Sequence, residues 1–252
     1  MSRGAATTAA AVRRLGRSAA TPRPSPRTAK DVRRIGLFGG TFDPIHLGHL
    51  AVAHAAQRRF HLERIFFVVA GCPPHKSESD LSPYPHRFAM TALACAGQPR
   101  FVPSLAEAGP DAHGHRICYS VDTVRHFRKQ FNQPGDRLYF LLGADSFLHL
   151  ASWKNYSELL GLCDFVVASR PGFPSGALRK VIPESLLAAP LAGNHLPSGI
   201  IPLRQTTVYL LDTVASPVSA TRVRQRLDRG HSVRGLVPAS VEDYITKQAL
   251  YK

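Results

Sequence analysis

IGLFGGTFDPIHLGHL, residues 35–50, is the stretch from which the fold of this chain can be worked out. Its first four residues are apolar and predict a buried strand, which ends at a pair of glycines where the backbone can turn sharply or lie close to a ligand. His46 and His49 follow, at the start of a helix predicted over residues 47–60. Because a helix N-terminus offers unpaired N–H groups and a partial positive charge, this strand–turn–helix unit suits a phosphate group.

Further apolar runs place this unit in a parallel sheet. A second buried strand is predicted over residues 64–70, and strand, helix and strand in succession form a βαβ unit with a right-handed crossover. The remaining predicted strands cover residues 101–105, 137–142, 164–168 and 208–211. The remaining predicted helices cover residues 87–96, 120–130 and 237–250, with a helical stretch that ends near Trp153. Residues 173–204 lack clear periodicity and predict an irregular excursion, with a short helix near residues 184–188.

Length and composition are those of a globular protein with one large domain. The chain has 252 residues, of which 44% are hydrophobic. Its four cysteines are widely spaced and form no CxxC pair, so neither a zinc site nor a disulfide framework is indicated, and reduced thiols in a cytoplasmic protein are expected. No stretch approaches the roughly 18 apolar residues that a membrane span requires.

Much of the net charge of +15 lies at the N-terminus, where residues 1–34 hold nine Arg or Lys and a single acid. The first 30 residues contain few large apolar side chains, which cannot offset the entropy of ordering such a segment. The sequence therefore predicts a disordered basic N-terminal extension over residues 1–33, followed by a folded domain over residues 34–252. A basic chain of this kind suits polyanionic substrates, and its charge does not require binding to nucleic acid.

A second phosphate-binding pattern lies near the C-terminus, where residues 216–227 read SPVSATRVRQRL. Ser219 and Thr221 fall at the N-terminus of a predicted helix, with Arg224 one turn further on. Hydroxyls, free N–H groups and a guanidinium that converge in this way suit a terminal phosphate, although Ser219 taken alone is also an ordinary helix cap.

Together the two patterns resemble a known family. GGTFDPIHLGHL resembles the T/HxGH signature of the nucleotidylyltransferase superfamily, and its full form is similar to the bacterial nicotinate-nucleotide adenylyltransferases. SxTxxR resembles that family's ISSTxIR element, with Val218 for the leading Ile and Ala220 for the second Ser. The resemblance implies an α/β fold, a Rossmann-like doubly wound parallel sheet with helices on both faces. It also implies transfer of AMP from ATP to nicotinate mononucleotide, which gives deamido-NAD and pyrophosphate.

The resemblance implies a set of residues that bind ATP. His46, His49 and Arg224 would be catalytic, since they would offset charge on the phosphates while Mg²⁺ accompanies ATP, with no metal site formed by protein ligands. Asp145 follows a predicted strand end and would accept hydrogen bonds from ribose hydroxyls. The implied ATP-binding residues are Gly39, Gly40, Thr41, Phe42, His46, His49, Gly143, Asp145, Ser219, Thr221 and Arg224.

The residues implied for nicotinate mononucleotide mostly have a second interpretation. Lys76, in the loop GCPPHK, and Arg87 would face the substrate phosphate, although Lys76 also suits a solvated surface loop. Ser120 would help to hold the pyridine carboxylate and Asp122 lies in the same element, but both residues also suit a helix start, with Ser120 as the N-cap. Trp153 would stack on the pyridine ring or pack as an ordinary core aromatic.

Other functions stay open at this point. They are adenylyl transfer to nicotinamide mononucleotide or phosphopantetheine, nucleic-acid binding through the basic tail, and nucleotide sensing without catalysis. The sequence contains no GxxxxGK[ST] and no GxGxxG, which argues against a P-loop kinase and a typical dehydrogenase. The expected partners are the small-molecule substrates ATP and nicotinate mononucleotide, with no membrane and no required nucleic acid; a homo-oligomer is compatible with the sequence.

Overall fold

The computed structural model describes residues 32–71, 81–109, 119–169, 172–189, 198–212 and 217–252. The predicted N-terminal extension lies outside these residues except for Val32 and Arg33, so that assignment stays a prediction. Among the described residues, no helix is long and apolar enough to cross a membrane.

The described strands form one seven-stranded sheet in the order β3-β2-β1-β4-β5-β7-β6. Neighbouring strands pair in parallel except for β6, which is antiparallel to β7. The strands are β1 (Arg34–Gly40), β2 (Arg64–Val69), β3 (Phe101–Ser104), β4 (Arg137–Gly143), β5 (Asp164–Ala168), β6 (Ile200–Pro202) and β7 (Thr207–Leu211). Central strands such as β4 are apolar along their length because both faces are covered.

Helices cover both faces of the sheet, and each face has its own apolar core. One core joins the sheet to α1, α2, α7 and α8, and the other joins it to α3, α4, α5 and α6. The helices are α1 (Leu47–Phe60), α2 (Tyr84–Cys95), α3 (Ser120–Gln130), α4 (Ala144–Leu148), α5 (Tyr156–Leu162), α6 (Ser175–Arg179), α7 (Ala220–Asp228) and α8 (Ala239–Lys247). The predicted Rossmann-like doubly wound parallel sheet is therefore confirmed.

The strand order reverses between β1 and β4. From β1 the chain crosses over to β2 and then β3 on one side, and it returns to place β4, β5 and β7 on the other side. In open α/β sheets a ligand crevice forms where this reversal occurs, outside the carboxyl ends of the strands. The glycines that end β1 and β4, Gly40 and Gly143, lie at this point.

The main differences from the predicted elements concern short segments. The structure adds α5 and α6, and it adds the antiparallel strand β6 inside the excursion predicted over residues 173–204. The short helix predicted near residues 184–188 is a single 3₁₀ turn, Glu184–Leu186. The prediction of Ser120 as an N-cap was wrong, because α3 already begins at Ser120 and Tyr119 is the capping residue.

Candidate active site

A cavity of about 800 Å³ lies at the crevice between β1, β4 and the N-terminus of α1. Eight of the residues predicted to bind ATP line it. They are Gly39, Gly40, Thr41, Phe42, His46, His49, Gly143 and Asp145. Val218 and Ala220, next to the start of α7, also line it.

The first turn of α1 brings His46 and His49 together. His46 is the extended N-cap residue, and its ring stacks on that of His49 with centroids 3.7 Å apart. The backbone N–H of His46 donates to His49 Nδ1 over 3.2 Å. Because Nδ1 accepts this bond, the neutral His49 ring carries its proton on Nε2, which is then available to donate to a ligand.

Burial keeps both imidazoles neutral. Burial lowers the pKa of His46 to about 4, and burial followed by the neighbouring His46 lowers the pKa of His49 well below its ordinary value. A bound phosphate would offset this loss of hydration, because an opposite charge favours the protonated form of histidine. The pair therefore forms a neutral donor site that can gain positive charge when an anion arrives.

The loop between β1 and α1 is held in a strained form. Phe42 is fully buried with a φ of 48°, a left-handed conformation that costs an aromatic residue about 1–3 kcal/mol. Two guanidinium groups fix the carbonyls on either side: Arg87 donates to Thr41 over 3.0 Å, and Arg224 donates to Asp43 over 2.7 Å. Hydrogen bonds from residues distant in sequence therefore hold this loop, which lines the cavity, in its strained conformation.

Arg87 lies under the site rather than in its lining. Its side chain is buried and also donates to the carbonyls of Ser82 and Ala70, over 2.9 and 2.8 Å. The described lining of the crevice does not include it. The structure therefore assigns Arg87 a role in holding three loop segments, and its predicted contact with substrate phosphate stays a prediction.

The second phosphate-binding pattern forms the helix start that the sequence predicts. Ser219 is the N-cap of α7, and its hydroxyl accepts the backbone N–H of Arg222 over 3.2 Å. Ser219, Thr221 and Arg224 do not themselves line the cavity, although their neighbours do. The Arg224 contact with Asp43 joins this helix to the loop after β1.

A second cavity, of about 410 Å³, continues the crevice toward α3. Both cavities are bordered by Gly39, Gly40, Thr41, Gly143 and Ser146, so they are two halves of one cleft. Two residues predicted for the nicotinate side, Ser120 and Trp153, line the second half. Trp153 is half-buried and meets the ring of Phe140 edge-on at 6.4 Å, which leaves part of the indole facing the cleft.

Asp122, a third residue predicted for that side, is not in its described lining. Asp122 accepts a hydrogen bond from Arg125 over 2.7 Å, and its carboxylate lies 4.0 Å from the ammonium of Lys154. Lys76 lies outside the described residues, so its predicted contact is untested. The structure brings Ser120 and Trp153 together in the second half of the cleft.

Glu107 and Lys154 also line the second half, and sequence reasoning missed both. Glu107 accepts the backbone N–H of Gly71 over 3.2 Å and the hydroxyl of Thr123 over 2.6 Å, and burial raises its pKa. Lys154 lies 4.2 Å above the ring of Tyr119. Glu107 follows a short strand in a polar turn and Lys154 directly follows Trp153, positions at which charge is usually solvated.

No metal-ion cluster of three or more His, Cys, Asp or Glu side chains occurs among the described residues.

Comparison with known proteins identifies the family. The cytidylyltransferase-like family model matches residues 37–226. A curated relative from Moorella thermoacetica, named "Probable nicotinate-nucleotide adenylyltransferase", is 37% identical over 219 residues, which cover 87% of this chain and 92% of the relative. A relative of the same name from Thermus thermophilus is 40% identical over 222 residues, 87% of this chain and 100% of the relative.

A solved structure supports the same fold. Plasmodium falciparum nicotinic acid mononucleotide adenylyltransferase complexed with NaAD superposes with a TM-score of 0.63 at 20% identity, covering 87% of this chain and 97% of that one. At this identity the likeness establishes the fold, while the family rests on the closer relatives and on the match of the family model. The chain belongs to the nicotinate-nucleotide adenylyltransferases, within the cytidylyltransferase-like family.

Proposed function

We propose that this protein transfers AMP from ATP to nicotinate mononucleotide, releasing deamido-NAD and pyrophosphate. The observation that carries the proposal is the two-part cleft at the strand reversal, with paired histidines in one half and an aromatic wall in the other. Relatives 35–40% identical to this chain carry the curated name "Probable nicotinate-nucleotide adenylyltransferase".

ATP binds in the half lined by His46 and His49. The positive end of the α1 dipole attracts the phosphates, and the glycines that end β1 allow close approach of the backbone. Asp145, at the start of α4, accepts hydrogen bonds from the ribose hydroxyls. The start of α7, with Ser219, Thr221 and Arg224, receives the β- and γ-phosphates once Arg224 turns from the carbonyl of Asp43 to the nucleotide.

Nicotinate mononucleotide binds in the half lined by Ser120 and Trp153. The indole of Trp153 stacks on the electron-poor pyridine ring, and the start of α3 at Ser120 offers N–H groups to the pyridine carboxylate. This arrangement brings the 5′-phosphate of the acceptor toward the shared glycine border and the α-phosphorus of ATP.

Catalysis is a matter of positioning and charge stabilisation. The 5′-phosphate of nicotinate mononucleotide is already anionic, so its oxygen attacks the α-phosphorus without a general base, and the bond to the pyrophosphate oxygen breaks. His46, His49 and Arg224 donate hydrogen bonds to the oxygens on which negative charge grows, in a site that is partly closed to water. Mg²⁺ bound to the ATP phosphates would supply further charge neutralisation.

The cell compartment that we propose is the cytoplasm. Cys95 and Cys163 are buried free thiols, and burial raises the pKa of Cys95 to about 12, which makes its thiol inert. Reduced buried thiols are typical of cytoplasmic proteins.

The test is pyrophosphate release by the purified protein with ATP and Mg²⁺. Nicotinate mononucleotide, nicotinamide mononucleotide and phosphopantetheine are supplied in parallel as acceptors. We expect clear preference for nicotinate mononucleotide. Preference for another acceptor would keep the adenylyl transfer and overturn the assignment of the second half of the cleft, and no release with any acceptor would overturn the proposed reaction.

A further inference from the structure

Asp43, in the loop between β1 and α1, is hydrogen-bonded to three segments that are distant in sequence. It is 1% exposed and borders the cavity that holds the two histidines. One carboxylate oxygen accepts the hydroxyl of Tyr251 over 2.5 Å, and the other accepts the backbone N–H of Ser82 over 3.2 Å. Its carbonyl accepts the guanidinium of Arg224 over 2.7 Å. Asp43 thus joins the loop after β1 to Ser82, to α7 and to the segment that follows α8.

The segment after α8 is bent so that Tyr251 points inward. Ala249 and Tyr251 both have positive φ values, 50° and 63°, which L-residues rarely adopt. Leu250 and Tyr251 pack against the apolar core beneath α1 and α8, and the backbone N–H of Leu250 bonds to the carbonyl of Ile245 over 3.1 Å. Such a conformation persists only where surrounding contacts fix it, and the bond to Asp43 is one of those contacts.

The charge of Asp43 makes its orientation matter. A carboxylate on the border of a cavity for a polyphosphate repels the ligand if it turns toward it. Tyr251 and Ser82 each donate to one carboxylate oxygen of Asp43, and these bonds hold the carboxylate in its present orientation. Burial, and then the bond to Asp43, raise the pKa of Tyr251, so its hydroxyl keeps its proton at every practical assay pH.

We propose that Tyr251 is a positioning residue for the ATP site, which holds the carboxylate of Asp43 away from the phosphates. The inference rests on the proposed function in one respect, that the cavity with the two histidines receives the ATP phosphates. It extends that function because the segment after α8, through Tyr251, would help to determine the affinity for ATP.

The test compares Tyr251→Phe with Tyr244→Phe. Tyr244 lies on α8, and its hydroxyl is 2.9 Å from His86 Nδ1, so the control also loses one hydroxyl contact to a side chain, away from the cleft. We expect Tyr251→Phe to weaken ATP binding about tenfold by calorimetry without acceptor, the scale of one hydrogen bond to a charged group. We expect Tyr244→Phe to leave ATP affinity unchanged. In turnover, KM for ATP should rise in Tyr251→Phe while KM for nicotinate mononucleotide stays constant.

A double-mutant comparison separates positioning from general stability. In Asp43→Asn the charge is gone, so adding Tyr251→Phe should weaken ATP binding by no more than about twofold further. An equal tenfold loss in both backgrounds would overturn the proposal, as would unchanged ATP affinity in Tyr251→Phe or equal losses in the two Tyr→Phe variants. ATP affinity is measured without acceptor, so this test does not depend on turnover. A protein that binds ATP but releases no pyrophosphate would refute the proposed reaction. The ratio of ATP affinities between Tyr251→Phe and the unaltered protein would still decide the role of Tyr251.

Discussion

At the scale of single residues, burial and hydrogen bonding decide what the charged groups of the cleft can do. His46 and His49 lie at a helix N-terminus, and the ring of His49 packs against Phe38 and Phe42. Burial in these surroundings makes a positive charge on either imidazole costly before a ligand arrives. The site is therefore prepared to respond to phosphate: the same imidazoles gain a proton more readily when an anion lies against them.

His49→Ala tests this role directly. We expect the fold to be retained and turnover to fall by about two to three orders of magnitude, the scale of removing one charge-stabilising donor. His54→Ala is the matched control, because His54 is half-buried on the same helix with its ring 4.7 Å from that of Phe101, away from the cleft. Steady-state pyrophosphate release measures both variants. Near-normal turnover in His49→Ala would contradict the catalytic assignment.

Lys154 gives the second half of the cleft its positive charge. It is the one Lys or Arg among the described residues that line this half, and Asp122 and the ring of Tyr119 lie beside its ammonium. Nicotinate carries a carboxylate and nicotinamide does not, so a cation here favours the acid over the amide.

Lys154→Met should therefore reduce the preference for the acid. We expect kcat/KM for nicotinate mononucleotide to fall about fivefold, since a half-exposed ion pair contributes up to ~1 kcal/mol. The value for nicotinamide mononucleotide should change little. Lys247→Met, which removes an exposed lysine paired with Asp243 on α8, serves as the control. A fall of equal size for both acceptors would show that Lys154 does not read the carboxylate.

Sequence reasoning found the residues whose chemistry is tied to a local pattern. His46 and His49 could be predicted because strand, glycine pair and helix start are continuous in sequence. Glu107 could not, since its two partners, Gly71 and Thr123, come from other segments. The same limit explains Arg87: its position in the sequence suggested a phosphate contact, while only the folded chain reveals the carbonyls that it bonds.

At the scale of elements, the start of α7 combines a structural and a ligand-binding task. Ser219 caps this helix by accepting the N–H of Arg222, and the same hydroxyl can still donate its proton to a phosphate. Val218 and Ala220, the residues on either side of this cap, line the cavity.

Comparing Ser219→Ala with Ser219→Gly separates the two tasks. Alanine should lower the free energy of unfolding by about 1 kcal/mol, whereas glycine, a fair N-cap, should lower it by only a few tenths. If the hydroxyl also binds phosphate, both variants should raise KM for ATP to a similar extent, about fivefold. Urea unfolding and ATP titration of both variants provide the data. Recovery of normal KM in Ser219→Gly would mean that Ser219 is only a cap.

Helices and strands could be predicted from the sequence where the run of apolar residues was long. They were missed where that run was short. The predicted boundaries of α1 and β5 agree with the structure, because a full amphipathic or buried run defines them. The five-residue helix α6 and the three-residue strand β6 are too short to show a periodic pattern of apolar residues. Strand β6 is stabilised by its pairing with β7. Tertiary contacts, rather than local preference, determine such segments.

At the scale of the whole molecule, the folded domain is fixed at its start by Arg33. Its backbone N–H and Nε donate to Asp136 over 3.2 and 3.0 Å, and its guanidinium lies 4.9 Å from the ring of Phe131. These contacts join the beginning of β1 to the segment before β4 and do not require the residues that precede them.

Deleting residues 1–31 should therefore leave catalysis intact. We expect kcat and KM for ATP to stay within about twofold of the full chain, since the contacts of Arg33 do not involve the deleted residues. Nucleic-acid affinity, measured by electrophoretic mobility, should fall to background if the tail alone supplies it. A loss of turnover with retained folding would instead assign the tail a part in the reaction.

Acid sensitivity of the whole fold should follow from the buried histidines. Below pH 6.5 an unfolded His46 takes up a proton, whereas the folded residue stays neutral until about pH 4. The unfolded state thus binds more protons in this window, so stability falls as pH falls, by roughly 3 kcal/mol for this residue over the whole interval.

His46→Asn cannot titrate and should lose less stability between pH 7 and 4.5 than the unaltered protein. Urea unfolding at the two pH values measures the difference, with exposed His126→Asn as control. An identical pH dependence in His46→Asn and the unaltered protein would show that His46 is not held neutral by the fold.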